Sequence, residues 1–320
     1  MRVRIETAAR LHMGFIDLHG GLGRKFGSIG VALEKPRLTL EATPADRLTA
    51  EGSESRRALE FASHFYAHYA SRLPDGTRAR LSVIEDIPPH VGLGSGTQLA
   101  LAVGTALGRL HEIEVDAFHL ARVMGRGRRS SMGIGAFQHG GFLVDGGHPV
   151  GADTPSPIIV RRCPAAEWQF VVVIPEIKPG LSGEEEDQAF LDMPHPSAAH
   201  AGQIARLLVM KMLPALEEED IVPFGEALTE IQRLVGDSFA PVQGGRYANP
   251  ISARLIDHLL EQGALAAGQS SWGPTVYGLV QGEDAALALE ESLHRFSADG
   301  PISTFHSRVA CEGARTVVTS

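Results

Sequence analysis

The stretch Pro88-Pro89-His90-Val91-Gly92-Leu93-Gly94-Ser95-Gly96-Thr97-Gln98 constrains this chain more than any other. Three glycines in five positions permit tight backbone turns and a close approach to a ligand. The apolar run Leu99-Ala100-Leu101-Ala102-Val103 that follows reads as a helix, so the loop ends on a helix N-terminus. There the first N–H groups lack intrahelical partners, and the helix dipole favours an anion. Residues 79–84 read as the strand that delivers the chain into this loop. The pattern is no P-loop, because no Gly-Lys-Ser/Thr follows, and no dinucleotide-binding GxGxxG, because the spacing fails. Gly92, Leu93, Gly94, Ser95, Gly96, Thr97 and Gln98 are therefore expected to hold phosphate. A strand-to-helix turn without a ligand is the plainer alternative.

With 320 residues the chain has room for two domains, and a charged fraction of 21% is that of an ordinary globular protein. Its formal charge of -9 argues against general affinity for nucleic acid or anionic membranes, so attraction to phosphate has to be local. No run approaches the roughly 20 apolar residues that span a bilayer. The opening Met1-Arg2-Val3-Arg4-Ile5-Glu6 lacks the apolar core of a signal peptide and reads as a strand. Cys163 and Cys311 stand isolated, suggesting neither a disulfide framework nor a CxxC site. The expectation is a cytoplasmic protein without membrane or nucleic-acid partners.

Alternation predicts half-buried strands at 3–6 and 38–41, and helical spacing covers 55–72. The helix after the glycine loop should run to about Leu110, and Asp116 should cap another that ends near Gly125. A glycine-punctuated segment, 125–141, leads into a strand at 142–145. The Pro- and Gly-rich residues 148–166 mark the boundary between domains 1–160 and 161–320. In the second unit, Trp168–Ile174 reads as a buried strand, followed by helices near 198–213, 221–236 and 250–262. A turn at 268–274, a strand at 275–280, a helix near 283–296 and a strand at 314–319 complete an α+β unit.

Three further constellations carry chemistry. Arg10, His12 and Asp17 fall where a strand should break into a loop, a usual place for ligand groups, with Arg24 shortly after. Arg10 or Arg24 suits bidentate recognition of phosphate or carboxylate, and His12 suits proton chemistry near neutral pH. Gly125-Arg126-Gly127-Arg128-Arg129-Ser130-Ser131 interleaves arginine with glycine and hydroxyls inside an acidic chain, which points to a polyanion. The carboxylates of Glu184, Glu185 and Glu186 either hold Mg²⁺ beside a phosphate or cap a helix. No HExxH spacing and no GxSxG elbow occurs.

Together these segments resemble the GHMP kinase superfamily: Pro88-x3-Gly92-Leu93-Gly94-Ser95 is similar to its phosphate loop, and Gly268-Gln269-Ser270-Ser271-Trp272-Gly273-Pro274-Thr275-Val276 to its C-terminal glycine motif. The resemblance implies an α+β, two-domain fold: a ribosomal S5 domain 2-like N-terminal domain, a ferredoxin-like C-terminal domain, and a site between them to which Ser270, Ser271 and Gly273 contribute. Where those kinases carry Ser-Gly-Ile-Asp, this chain has Met132-Gly133-Ile134-Gly135, with glycine in place of the carboxylate that serves the accepting hydroxyl. The 9–18 segment, Gly27–Leu33, the Gly96-Thr97-Gln98 form of the loop and Ser130–Gly141 are similar to one branch, the β-ribofuranosylaminobenzene 5'-phosphate synthases (β-RFAP synthases) of methanopterin biosynthesis. That resemblance implies a decarboxylating pentosyltransferase joining phosphoribosyl pyrophosphate to 4-aminobenzoate or 4-hydroxybenzoate with release of CO2 and pyrophosphate. Mg²⁺ would accompany the pyrophosphate, with Glu184 and Glu186 as candidate ligands, and no ATP would be needed. In this reading Arg10, His12 and Asp17 are catalytic, and the loop, Arg24, Arg128, Arg129, Ser130 and Ser131 bind substrate. An ATP-dependent small-molecule kinase and an inactive metabolite-binding protein remain as alternatives, and a homodimer is compatible with all three.

Overall fold

The fold is taken from a computed structural model that describes residues 1–320 apart from 153, 178, 179, 181, 182, 195, 295 and 297–299. Two long strands, β1 (Arg2–Asp17) and β2 (Arg24–Ala45), form its spine, pairing antiparallel along nearly their whole length. Bulges between Ala8 and Arg10 and between His12 and Gly14 let β1 bend without breaking. Next come β3 (Thr49–Glu51), α1 (Ser55–His68), β4 (Arg78–Glu85), α2 (Ser95–Leu110), α3 (Ala117–Val123), α4 (Met132–His139), β5 (Phe142–Asp145), β6 (His148–Pro149) and β7 (Ile158–Arg162). With β12 (Arg315–Thr319) at its edge, the sheet runs β12-β1-β2-β4-β3, with β5 and β6 pairing with β2 and β7 joining β5. Asp116 caps α3 as expected, its carboxylate accepting from the N–H groups of Phe118 and His119.

The second sheet is antiparallel in the order β11-β8-β10-β9, from β8 (Trp168–Pro175), β9 (Ala266–Gln269), β10 (Val276–Gln281) and β11 (Ile302–Arg308). β8 lies inside this sheet and is buried along almost all its length, which explains its unbroken apolar run. The helices are α5 (Glu184–Asp192), α6 (Ala198–Leu207), α7 (Leu213–Glu217), α8 (Ile221–Gln243), α9 (Pro250–Glu261) and α10 (Glu283–Leu293), with a π-helical turn joining α6 to α7. Phe224, Ala227, Leu228, Ile231, Val235 and Phe239 make one buried stripe along α8 at helical spacing. This helix touches both β1 and β9, so it fills the space between the sheets. Phe224 marks the junction: its ring lies 5.6 Å from Phe142 of the first sheet and 4.8 Å from Trp168 of the second.

Four sequence readings need correction. β1 does not end before Arg10 but continues to Asp17, because Arg10, Leu11 and His12 keep their pairing with Ala32, Val31 and Gly30. The segment 125–141 contains a helix, α4, built on the apolar residues Met132, Ile134, Ala136 and Phe137. The final strand, β12 (Arg315–Thr319), leaves the second unit and pairs antiparallel with β1. Cys163 and Cys311 are not isolated: they form a disulfide with Cα atoms 5.3 Å apart, across a separation of 148 residues that spacing in the sequence does not reveal.

Among the described residues no helix is long and apolar enough to cross a membrane. Phe224→Ala should cost about 3–5 kcal/mol, the range for emptying a buried aromatic site. Chemical denaturation would measure it, and because the ring bridges both sheets the two should loosen together.

Candidate functional site

Three segments meet at one serine. The Ser270 hydroxyl, just past β9, accepts the His12 N–H at 3.0 Å and donates to the Gly92 carbonyl at 2.7 Å. Around it the Ser271 N–H donates to the His12 carbonyl, the Thr275 N–H to the Val91 carbonyl and the Arg10 N–H to the Leu93 carbonyl. The glycine loop is thus stitched to β1 on one side and to the 270–275 turn on the other. At Gly92 a Cβ would lie 2.5 Å from the Ser270 carbonyl, so this contact admits no side chain. Gly94, in the left-handed region at φ +82, opens α2 as its N-cap without a side-chain capping bond. The Thr97 and Gln98 N–H groups turn back to the Gly94 carbonyl, which leaves those of Ser95 and Gly96, at the start of a sixteen-residue helix, for a ligand.

Five arginines line the cleft in front of that helix: Arg10, Arg57, Arg126, Arg128 and Arg129. The cleft is open to solvent. Burial pulls the pKa of Arg10 down to about 10, with Glu186 opposing, so it stays charged at neutral pH. Its guanidinium donates to the Gly92 carbonyl, while Nε is shut off from solvent with no partner. Arg57 reaches over the loop at Gly96, where a Cβ would lie 2.5 Å from its Nη2. Arg126 stacks on Phe61, 5.0 Å from the ring centre, and its buried Nε also has no partner. Arg129 is already engaged. It lies 4.2 Å over the Phe190 ring, 3.0 Å from the Glu186 carboxylate, and pairs with Asp187.

His12 sits at the cleft floor, 4% exposed, with Nε2 lacking a partner. Burial first, and the neighbouring Arg10 charge second, push its pKa down to about 3. It is therefore a neutral imidazole at working pH, a hydrogen-bonding group rather than a cation.

Of the residues singled out in the sequence, Arg10, His12, Gly92, Gly94, Ser95, Gly96, Thr97, Arg128, Arg129, Ser130, Glu186 and Ser271 line this cleft. Others do not reach it. Asp17 closes the turn after β1, accepting from the N–H groups of His19 and Gly20. Arg24 is spent on the carbonyls of Gly146 and Gly147. Leu93 is core, and Gln98 is fully buried, joining Thr7 to the Gly133 carbonyl. Ser131 is buried behind Ser130, its N–H donating to Asp145. Ser270 supports the loop from behind, and Gly273 shapes its turn through a 3.0 Å bond to the Ser270 carbonyl. Glu184 begins α5, but its side chain lies outside the described residues. Among those residues no cluster of three His, Cys, Asp or Glu forms a metal site. The sequence reading missed Arg57, Phe15, His90, Trp272 and Asp187. Arg57 lies on α1 with no local signal; Asp187 adjoins the acidic run already noted.

The chain matches the GHMP kinases N terminal domain family over residues 57–141 and the GHMP kinases C terminal family over 212–299. It is 34% identical over 310 residues to a beta-ribofuranosylphenol 5'-phosphate synthase of Archaeoglobus fulgidus, covering 93% of each chain. The chain belongs to that synthase family. A second member, from Methanothermobacter thermautotrophicus, is 33% identical, covering 89% of this chain and 90% of the relative. The phosphomevalonate kinase structure of Streptococcus pneumoniae shares the fold, with a TM-score of 0.70 at 15% identity over 97% of this chain and 100% of that one.

Within this synthase family the loop variant Gly96-Thr97-Gln98 has a local explanation in this chain. Gly96 makes room for Arg57, Thr97 packs where Gly133 has no side chain, and Gln98 ties α2 to α4. At Gly135 a Cβ would run into Ile158 and Leu143 at 2.8 and 3.0 Å, and the position does not line the cleft. No carboxylate reaches the site from there.

Ser270→Ala removes both hydroxyl bonds, leaving the His12 N–H unsatisfied and the Gly92 carbonyl to Arg10 alone. A loss on the order of 1–3 kcal/mol in thermal or chemical denaturation is expected. The depressed pKa of His12 sets a second outcome. The unfolded chain binds the proton first, so this contribution to stability is complete above the ordinary value of 6.5 and falls away as pH drops toward about 3. In His12→Gln the stability profile should be flatter across that window, as read by denaturation at several pH values.

Proposed function

We propose that this protein makes a C-riboside 5'-phosphate from phosphoribosyl pyrophosphate and a 4-amino- or 4-hydroxybenzoate, releasing CO2 and pyrophosphate. The observation that carries the reading is the pairing of an uncapped helix N-terminus with five arginines, in a chain whose overall charge is -9. Such a cradle suits a ligand with several phosphates. A kinase would also place phosphates here, but the family's carboxylate for the accepting hydroxyl is replaced by Gly135, which does not line the cleft.

The chemistry balances without a covalent enzyme intermediate. The bond between the anomeric carbon and pyrophosphate oxygen breaks, and its electron pair leaves with pyrophosphate. The ring carbon bearing the carboxylate supplies the electrons for the new carbon–carbon bond. The bond to the carboxylate then breaks, CO2 departs, and that pair restores the aromatic ring. Arg126, Arg128 and the first N–H groups of α2 face the charge that builds on the leaving group. The Glu186 and Asp187 carboxylates, which line the cleft, are placed to offset positive charge on the sugar, as carboxylates do in glycosidases. The neutral His12 can accept from or donate to a substrate group without competing for phosphate.

The hard oxygen donors of Glu186 and Asp187, which also pair with Arg129, suit Mg²⁺, which commonly takes one or two carboxylates and completes its shell with substrate phosphates and water. Bound there, the ion would neutralise pyrophosphate charge.

Mixing the protein with phosphoribosyl pyrophosphate, Mg²⁺ and carboxyl-labelled 4-aminobenzoate should release labelled CO2 one-for-one with pyrophosphate. ATP turnover with an alcohol acceptor and no CO2 would establish the kinase instead, and silence in both assays would leave an inactive binder. Arg126→Ala should weaken use of phosphoribosyl pyrophosphate by about 1.5–3 kcal/mol, on the order of 10–100-fold in kcat/KM. Unchanged kinetics would remove Arg126 from the phosphate site.

A further inference from the structure

The arginine cleft has a neighbour of opposite character. A second, smaller cavity adjoins it and shares His12, Phe15, Ser271 and Trp272 with it. Beyond that shared boundary Val235, Phe239 and Tyr247 give it apolar and aromatic walls, with Gln232, Gln243 and Gln269 between them. The aromatic rings support one another: Phe239 lies 4.8 Å from Trp272, and His12 4.7 Å from Phe15. Gly14 helps keep the space open, since a Cβ there would stand 3.0 Å from Val235. A phosphorylated sugar gains nothing from such walls. A flat ring does, because aromatic walls contribute through burial and through edge-to-face contacts.

Charge gives the slot a direction. Arg246, away from the shared boundary, is held by both oxygens of Asp237 at 2.7 and 3.2 Å. Arg10, on the cleft side, keeps a buried Nε without a partner. An incoming carboxylate therefore finds on the cleft side a cation hydrogen-bonded to a neutral carbonyl, and on the other a cation neutralised by a carboxylate.

We propose that this slot seats the aromatic acid, with its carboxylate-bearing carbon at His12 and turned toward Arg10, and its 4-substituent pointing away toward Tyr247. The proposal rests on reading the cleft as the phosphoribosyl pyrophosphate site. It adds that the two substrates bind end to end in separate cavities, meeting at the boundary formed by His12, Phe15, Ser271 and Trp272. The attacking carbon then faces the anomeric carbon across that boundary, and the slot walls keep water from the reacting ring.

Val235→Trp fills the slot from α8 without touching the arginine cleft, and Val235→Phe is a smaller intrusion should tryptophan disturb folding. Titration calorimetry with 4-aminobenzoate, on protein preloaded with inorganic pyrophosphate, should show at least tenfold weaker binding in the variant. Pyrophosphate binding itself should stay within twofold of wild type. Equal binding of the aromatic acid by wild type and both variants overturns the slot, as does absence of such binding in wild type. Loss of pyrophosphate binding in step with loss of the aromatic acid also overturns it, because the two cavities would then not be separate. Failure of the broader reading looks different: the aromatic acid and pyrophosphate bind as stated, yet no CO2 is released from phosphoribosyl pyrophosphate and the labelled acid.

Discussion

The hydrogen bonds of the Ser270 hydroxyl hold the site together, because they join parts of the chain that local propensity cannot align. His12 belongs to the first strand, Gly92 to the glycine loop and Ser270 to the second sheet's turn. The loop presents backbone N–H groups in one direction only while its carbonyls are satisfied behind it, and Ser270 together with Arg10 satisfies Gly92 from there. Close approach of Gly92 to the turn follows, and with it the need for glycine. The phosphate cradle is thus a property of two domains in contact rather than of a motif.

Electrostatics reinforce this arrangement. Five cations gather in one cleft of an acidic chain, where they would repel one another if unopposed. The chain offsets part of that repulsion with its own groups: Arg129 is held by Glu186 and Asp187, Arg57 by Glu54 at 2.6 Å, and Arg126 by the face of Phe61. Glu186 also accepts the Trp272 indole N–H at 3.0 Å. That bond sets α5 against the boundary between the two cavities. Ordering of α5 and of the aromatic wall are therefore linked.

The glycine loop, its helix, Asp116 as a cap and the strand at 168–174 were legible in the sequence because each depends on contiguous residues. So was membership of the fold, which rests on the loop and the 268–276 turn. Arg10 and His12 were found for their chemistry but misplaced in structure, since the bulges that carry a strand through them depend on β2. Asp17 and Arg24 looked equally eligible; only the turn and the carbonyls they satisfy distinguish them from Arg10. Arg57 was invisible, since an arginine on an amphipathic helix reads as solvated until the loop is folded beneath it. The Cys163–Cys311 pairing was hidden for the same reason, as 148 residues separate its halves.

The pairing of β12 with β1 has a consequence for how the molecule comes into being. Arg2 stands opposite Thr319 and Ile5 opposite Thr316, so β1 meets its outer partner only after residue 319 has been made. Throughout synthesis that edge of β1 presents unpaired backbone groups, the kind of surface on which nascent chains cross-associate. The charges along this stretch, Arg2, Arg4 and Glu6, alternate with the buried Val3 and Ile5 and make the open edge a poor template for another copy. The same pairing brings residues 2 and 319 side by side.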